Sequence, residues 1–238
     1  MQVGIIIPAR NEAAALSRVL AEIPRALAHE IIVVDNGSTD GTASVARQGG
    51  ARVVAEPIPG YGRACLAGLF VLSPSVDVVV FLDGDYSDDA AELPTLLAPI
   101  SNDEADLVIG SRTARAELGS LTLQQRLGNR LACWLMRRCF NVRYTDLGPF
   151  RAIRRESLAR LGMRDLAFGW TAEMQAKAAR LRLRIAEVPV SYRRRIGRSK
   201  ISGTLRGTIC AGWAIVTTIL RVAAQPSAQH RVEACVDS

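Results

Sequence analysis

A chain of 238 residues, 49% hydrophobic and 22% charged, has room for one α/β domain with a full core and falls outside the disordered class. Its formal net charge of +7 points to an anionic partner: nucleic acid, a phosphorylated substrate or an acidic membrane surface. The five cysteines form no CxxC pair and imply reduced thiols in a cytoplasmic setting, and the apolar stretch Ile209 to Leu220 is shorter than the ~20 residues a membrane span needs.

Val3 to Ile7 is an apolar run closed by Pro8, and Leu16, Val19, Leu20 and Ile23 then recur at helical spacing within Ala13 to Ile23. No signal peptide is expected before that first strand. The joining loop, Pro8-Ala9-Arg10-Asn11-Glu12, places polar groups between a strand's carboxyl end and a helix's amino end, where free backbone N–H groups favour an anionic ligand. Asn11 and Glu12 would serve equally as ordinary caps. Ile31 to Val34 repeats the pattern and runs into Asp35-Asn36-Gly37-Ser38-Thr39-Asp40-Gly41-Thr42, in which Ser38, Thr39 and Asp40 suit capping of a helix from Thr42 to Gln48. Asp35 is not needed for that task, and its carboxylate is free to accept from a base imide or a ribose hydroxyl.

Ala51 to Val54 reads as a third strand, Glu56 to Arg63 as a loop and Ala64 to Leu72 as a helix. Gly60 and Gly62 would let the backbone approach a ligand closely, although the full GxGxxG pattern is absent. The next run, Val78 to Leu82, has the composition of a strand buried on both faces and ends in Asp83-Gly84-Asp85. In an open α/β sheet that end binds ligands. Two hard oxygen donors in DxD spacing suit Mg²⁺ or Mn²⁺ held partly by substrate phosphates, against the plainer reading of a polar Asp-Gly turn. A helix from Asp88 to Ile100 with Pro94 near its start follows, then a strand at Leu107 to Ile109 ending in Gly110, Ser111 and Arg112.

Leu121 to Cys139 reads as a helix whose stripe of Leu123, Leu127, Leu131, Leu135 and Met136 is expected to face the core rather than form a lipid groove. Tyr144 to Ile153 reads as turn and strand, and Arg154 to Leu161 as a helix. Gly169 to Glu173 opens another, with Glu173 either complementing the helix dipole or facing a pocket. Arg184 to Tyr192 alternates as a strand. The basic run that follows, Arg193 to Lys200, is a solvated loop or a phosphate clamp, and the tail past Pro226 is expected to be disordered.

Six segments carry a resemblance: PARNE (8–12), DNGSTDGT (35–42), DGD (83–85), DLGPFR (146–151), Gly169 to Glu173 and RIGRSK (195–200). In this order the chain resembles family-2 inverting glycosyltransferases, nearest the group of dolichol-phosphate mannose synthases and polyprenyl-phosphate glycosyltransferases, over about the first 200 residues. The resemblance implies a GT-A fold: a mostly parallel central α/β sheet between helices, in three layers, as one domain over 1–225. It would comprise a nucleotide-sugar half (1–112), an acceptor half (113–204) and an apolar helix (205–225), before the tail 226–238.

It also implies a nucleoside-diphosphate sugar donor and Mg²⁺ or Mn²⁺. Pro8, Arg10, Glu12, Asp35, Gly62, Asp83 and Gly84 would line the donor pocket, with Asp83 and Asp85 as the metal pair. Arg151, Arg195, Ser199 and Lys200 would lie near donor or acceptor phosphates. Where the family usually has Gln or His after DxD, this chain has Tyr86-Ser87-Asp88. Departure of the nucleotide builds negative charge that a metal ion and arginines stabilise. A lipid-phosphate acceptor is already an anion, whereas a hydroxyl acceptor requires a carboxylate base, for which Asp146 and Glu173 are the candidates.

The leading expectation is therefore a polyprenyl-phosphate glycosyltransferase working peripherally at the inner membrane face, with a soluble transferase acting on hydroxyl acceptors as the alternative. A nucleotidyltransferase would usually open with a glycine-rich loop where this chain has PARNE. A noncatalytic nucleotide-binding module does not account for the retained aspartates. Nucleic acid is not an expected partner, because no recognition-helix motif accompanies the charge. A homo-oligomer is left open.

Overall fold

The computed structural model describes residues 1–197 and 205–225, with side chains from residue 210 onward in the second segment. Arg198, Ser199 and Lys200 of the expected clamp, and the tail from residue 226, lie outside the described residues.

Seven strands form one sheet: β1 (Val3–Ala9), β2 (Glu30–Asp35), β3 (Arg52–Ala55), β4 (Val78–Phe81), β5 (Leu107–Ser111), β6 (Arg151–Arg154) and β7 (Ile185–Pro189). Their order is β3-β2-β1-β4-β6-β5-β7, and every neighbouring pair is parallel except the two made by β6. The apolar runs read from the sequence are therefore strands buried on both faces, as a covered parallel sheet requires.

Side-chain alternation along the strands divides the core in two. Ile5, Ile7, Val33, Val78, Val80 and Val108 face helices α1 (Ala13–Glu22), α2 (Thr42–Gln48) and α4 (Leu93–Ser101). Ile6, Ile32, Val34, Val79, Phe81 and Ile109 face α3 (Tyr61–Val71), α5 (Leu123–Phe140), α6 (Arg155–Leu161), α7 (Trp170–Arg180) and α8 (Leu205–Ala223). The result is the expected three-layer α/β architecture. Trp170, fully buried, meets Phe81 edge-on at 5.8 Å between ring centroids and ties α7 to the centre of the sheet.

Two sequence expectations are corrected. Helix α3 begins at Tyr61, three residues before the expected start, so Tyr61, Gly62 and Arg63 form its first turn. The expected stripe of α5 is core only at its end: Leu123, Leu127 and Leu131 are exposed, whereas Met136 is buried with Ala132 and Leu135 is half-buried against the same cluster. Its inward side lies against α8 and α7, where small side chains allow close approach. A capping box of Thr122 and Gln125 starts α5, and Asn141 in the left-handed region (φ 56°) ends it.

The glycines at the start of α3 have a protein partner. The Gly62 N–H donates to the Ala167 carbonyl and the Arg63 N–H to that of Leu166, and a Cβ on Gly62 would stand 1.9 Å from the Asp165 carbonyl oxygen. Gly62 is thus corrected from a ligand-approach position to one where the 165–167 loop packs onto the helix. Gly62→Ala is expected to destabilise the fold by about 1–3 kcal/mol, because backbone and not a flexible side chain must yield. The urea midpoint should fall accordingly. At Gly41, which has nothing within 4 Å of a built Cβ, the same substitution should leave it nearly unchanged.

Candidate active site

Strands β1, β2, β4 and β5 end at one edge of the sheet, and β6, running the opposite way, begins there. The register pairs Phe81 on β4 and Ile109 on β5 with Arg151 on β6. The Asp83–Asp85 turn, the 146–150 segment and the residues after β7 consequently meet at this edge.

Asp83 is half-buried and accepts a hydrogen bond from the Tyr61 hydroxyl at 3.1 Å. Asp85 is buried; its Oδ1 accepts from the Ser87 N–H at 2.9 Å and the Ser87 hydroxyl at 2.5 Å, while its Oδ2 lies 3.3 Å from Arg195. Arg195 reaches back to Glu12 at 3.1 Å and so joins the β1 loop, the Asp-Gly-Asp turn and the segment after β7. The Ile196 N–H adds a bond to the Asp85 carbonyl at 2.9 Å.

Tyr86, at φ 69°, is turned away from this cluster, with its hydroxyl on Glu22 at 2.6 Å and the Arg193 guanidinium 4.7 Å from its ring centre. Arg193 pairs with Glu22 and Asp89 at 2.8 and 2.7 Å. Tyr86 therefore fastens the segment after β7, while Ser87 orients Asp85. Asp88 is buried with neither carboxylate oxygen hydrogen-bonded, and desolvation together with the Asp83 charge holds its carboxyl well above the usual range.

Desolvation and the neighbouring Asp85 charge push the Asp83 carboxyl up to about 7. The unfolded side chain titrates near pH 4, so between roughly pH 4 and 7 the folded state binds more protons. The stability of EDTA-treated protein should therefore fall as pH rises through that window. Melting curves at pH 5 and 7.5 should show the drop, and Asp83→Asn should reduce it.

Neither candidate base is free. Asp146, 1% exposed, accepts from the Arg112 N–H (2.8 Å) and Nε (2.7 Å) on one oxygen and a guanidinium NH₂ (2.7 Å) on the other. Glu173, 3% exposed, accepts from the Arg164 and Asp165 N–H groups at 3.0 and 2.7 Å and pairs with Lys177 at 2.8 Å. The pocket-facing reading of Glu173 is corrected: its carboxylate holds the loop that packs on α3. Arg151 is also internal. It donates to the carbonyls of Gly148 and, at 3.1 Å, Thr171, and burial lowers its pKa to about 10.

Pro8, Arg10, Glu12 and Asp35 gather at the ends of β1 and β2, where two loops interlock. Asn11 donates its N–H to Ser38 and accepts from the Thr39 N–H at 2.8 Å, and the Glu12 N–H bonds the Thr42 hydroxyl at 2.9 Å. Asp35 holds the Ser38 N–H at 3.0 Å. Asn36 donates to the Glu56 and Ile58 carbonyls and accepts from Gly60, pinning the 56–60 loop beside them. Gly84 is in ordinary contact with β1.

From Asp83 and Asp85 a cleft of about 310 Å³ runs past Arg112, Tyr192 and Arg195 and between α5 and α8, along Gly128, Ala132, Ala211 and Ile215. Tyr61, Tyr192 and Asn129 were not singled out from the sequence. The Arg112 guanidinium lies 4.9 Å from the Tyr192 ring centre, and Asn129 holds the Leu147 N–H at 2.9 Å and the Thr145 carbonyl at 3.0 Å. Nothing local marks these residues, because each acts through a partner distant in the chain. Among the described residues no three metal-ligating side chains form a cage, so an ion at Asp83 and Asp85 would need further oxygen ligands from elsewhere.

This sheet, with an aspartate pair and arginines at its carboxyl edge, defines an α/β enzyme of the glycosyltransferase class. The chain belongs to glycosyl transferase family 2, whose model matches residues 4–162. An uncharacterized glycosyltransferase of Mycobacterium bovis is 42% identical over 210 residues, 88% of this chain and 94% of that protein. A dolichyl-phosphate hexose transferase of Haloferax volcanii is 35% identical over 227 residues, 92% of each. Among solved structures, the glucosyl-3-phosphoglycerate synthase of Mycobacterium tuberculosis, in complex with Mn²⁺, UDP-glucose and phosphoglyceric acid, superposes with a TM-score of 0.76 at 25% identity, covering 95% of this chain and 81% of that one.

Proposed function

We propose that the protein transfers a hexose from a nucleoside-diphosphate sugar to a polyprenyl-phosphate-type lipid at the cytoplasmic face of a membrane, assisted by Mg²⁺ or Mn²⁺. The observation that carries the acceptor is the occupation of Asp146 and Glu173 by Arg112, Lys177 and backbone donors. An acceptor hydroxyl would need a carboxylate base, and these two are held by other groups; a phosphate is already charged and needs positioning. The cleft fits such a molecule, with Arg112 and Arg195 at one end and an apolar wall at the other. The Haloferax relative's name supports a lipid phosphate.

The donor reading rests on Asp83 and Asp85, whose hard oxygens suit a divalent cation completed by diphosphate oxygens. That ion would supply stabilisation of charge on the leaving diphosphate. Arg195 is set to contribute a second positive charge from the same edge. Pro8, Arg10, Glu12, Asp35 and Gly84 would line the nucleotide side, and Ser199 and Lys200 would extend the clamp. The Mycobacterium structure with Mn²⁺, UDP-glucose and a phosphorylated acceptor supports this division of the site. It also favours a second reading, transfer to a small phosphorylated acceptor.

The deciding experiment incubates the protein with radiolabelled UDP- and GDP-sugars, Mn²⁺ and bacterial membrane lipids. Label should enter the chloroform–methanol phase and be lost with EDTA. Label confined to water-soluble products would overturn the lipid assignment and select the second reading.

A further inference from the structure

The exposed side of α5 is organised in a way that its family membership leaves unexplained. Leu123, Leu127, Leu131 and Trp134, at 70%, 55%, 48% and 58% exposure, follow one another at intervals of four, four and three residues, and so form one stripe along the outer face of the helix. A single exposed leucine is ordinary; four large apolar groups aligned over three turns are not. Arg126, Arg130 and Arg137 run along one flank of this stripe and Arg138 stands at its end, all exposed. No acidic residue occurs between Leu123 and Phe140, and none of these arginines has an ion-pair partner among the described residues.

The geometry points to α5 as a docking helix for an anionic bilayer surface, with the leucines and Trp134 inserted at headgroup level and the arginines on lipid phosphates. An apolar stripe beside a row of unpaired arginines matches a surface that is apolar beneath and negative on top. A second copy is disfavoured by charge, because a two-fold contact through this stripe would set one arginine row against the other. The opposite side of α5 supplies Gln125, Gly128 and Ala132 to the cleft. Docking through the stripe would thus leave α5 between the bilayer and the cleft. Neighbouring α8 buries Ala211, Ile219 and Val222 and exposes Trp213 and Leu220, so it packs through one side. Among the described residues no helix is long and apolar enough to cross a membrane.

The surface is tested without any acceptor, so its failure is separate from failure of the transfer reading. Purified protein is sedimented with vesicles of phosphatidylcholine alone and of phosphatidylcholine with phosphatidylglycerol, at low and high NaCl. Binding is expected only to the anionic vesicles and should weaken with salt. Leu127→Ser and Trp134→Ser should each reduce it about tenfold, and Arg126→Gln and Arg130→Gln about fivefold each. Unchanged melting temperatures would show that these exposed positions leave the fold intact. Absence of binding to anionic vesicles at low salt, or binding that all four variants retain, would overturn the proposal. So would a wild-type dimer that Leu127→Ser dissociates while vesicle binding is unaffected, since the stripe would then belong to a second copy.

Discussion

Asp85→Asn is expected to lower sugar transfer by about 10²–10³-fold, the range seen when one preorganised electrostatic group is removed from a charge-building transition state. The substitution keeps the shape and leaves an oxygen to accept from Ser87, whose N–H and hydroxyl orient the native carboxylate. It removes the negative charge that faces Arg195 and would face a cation. Mn²⁺ affinity, followed by electron paramagnetic resonance, should fall together with turnover while the circular dichroism spectrum is unchanged. Wild-type Mn²⁺ affinity and turnover in a folded variant would take Asp85 out of the donor site. Arg195→Ala separates the two contributions: it should lose turnover and keep or gain Mn²⁺ affinity, because the competing cation has left the carboxylate.

Arg151→Leu should act on the fold. The guanidinium is fully buried and is the donor to the carbonyls of Gly148 and Thr171. A leucine fills similar volume but removes the donor to the Gly148 carbonyl and the second donor to that of Thr171, which costs about 1–3 kcal/mol. The urea midpoint should drop by the corresponding amount, and turnover should decline as the 146–150 turn, whose Asp146 holds Arg112, loosens. Were Arg151 a contact to substrate phosphate, as the sequence resemblance implies, the outcome would differ: loss of turnover at unchanged stability.

The strands and the edge at which they end were legible because a covered parallel sheet imposes uninterrupted apolar runs, and those of β1, β2, β4 and β5 stop at polar loops. Periodicity was less informative for α5. It identifies a stripe but not which side of the helix meets the protein, and here Ala132, Leu135 and Met136 turn inward while Leu123, Leu127 and Leu131 turn outward. Glycine at 62 correctly signalled a close approach, yet its partner, the 165–167 loop, lies a hundred residues on. The carboxylates posed the same difficulty. Asp146 reads as a base until Arg112, 34 positions upstream, is seen to hold both oxygens. Local spacing identified groups capable of chemistry; long-range pairing decided which remained available for it.

The position of β6 also bears on how the chain is made. In the order β4-β6-β5-β7, both neighbours of β5 come later in the sequence than β5 itself. As the polypeptide leaves the ribosome, β1 to β4 can pair as they emerge, but β5 has no strand to join until Arg151–Arg154 follows it out. During that interval Leu107, Val108 and Ile109, all fully buried in the finished sheet, are open to mispairing. The same inversion that brings the 146–150 turn to the edge with the Asp-Gly-Asp turn thus makes assembly of that edge one of the later events in folding.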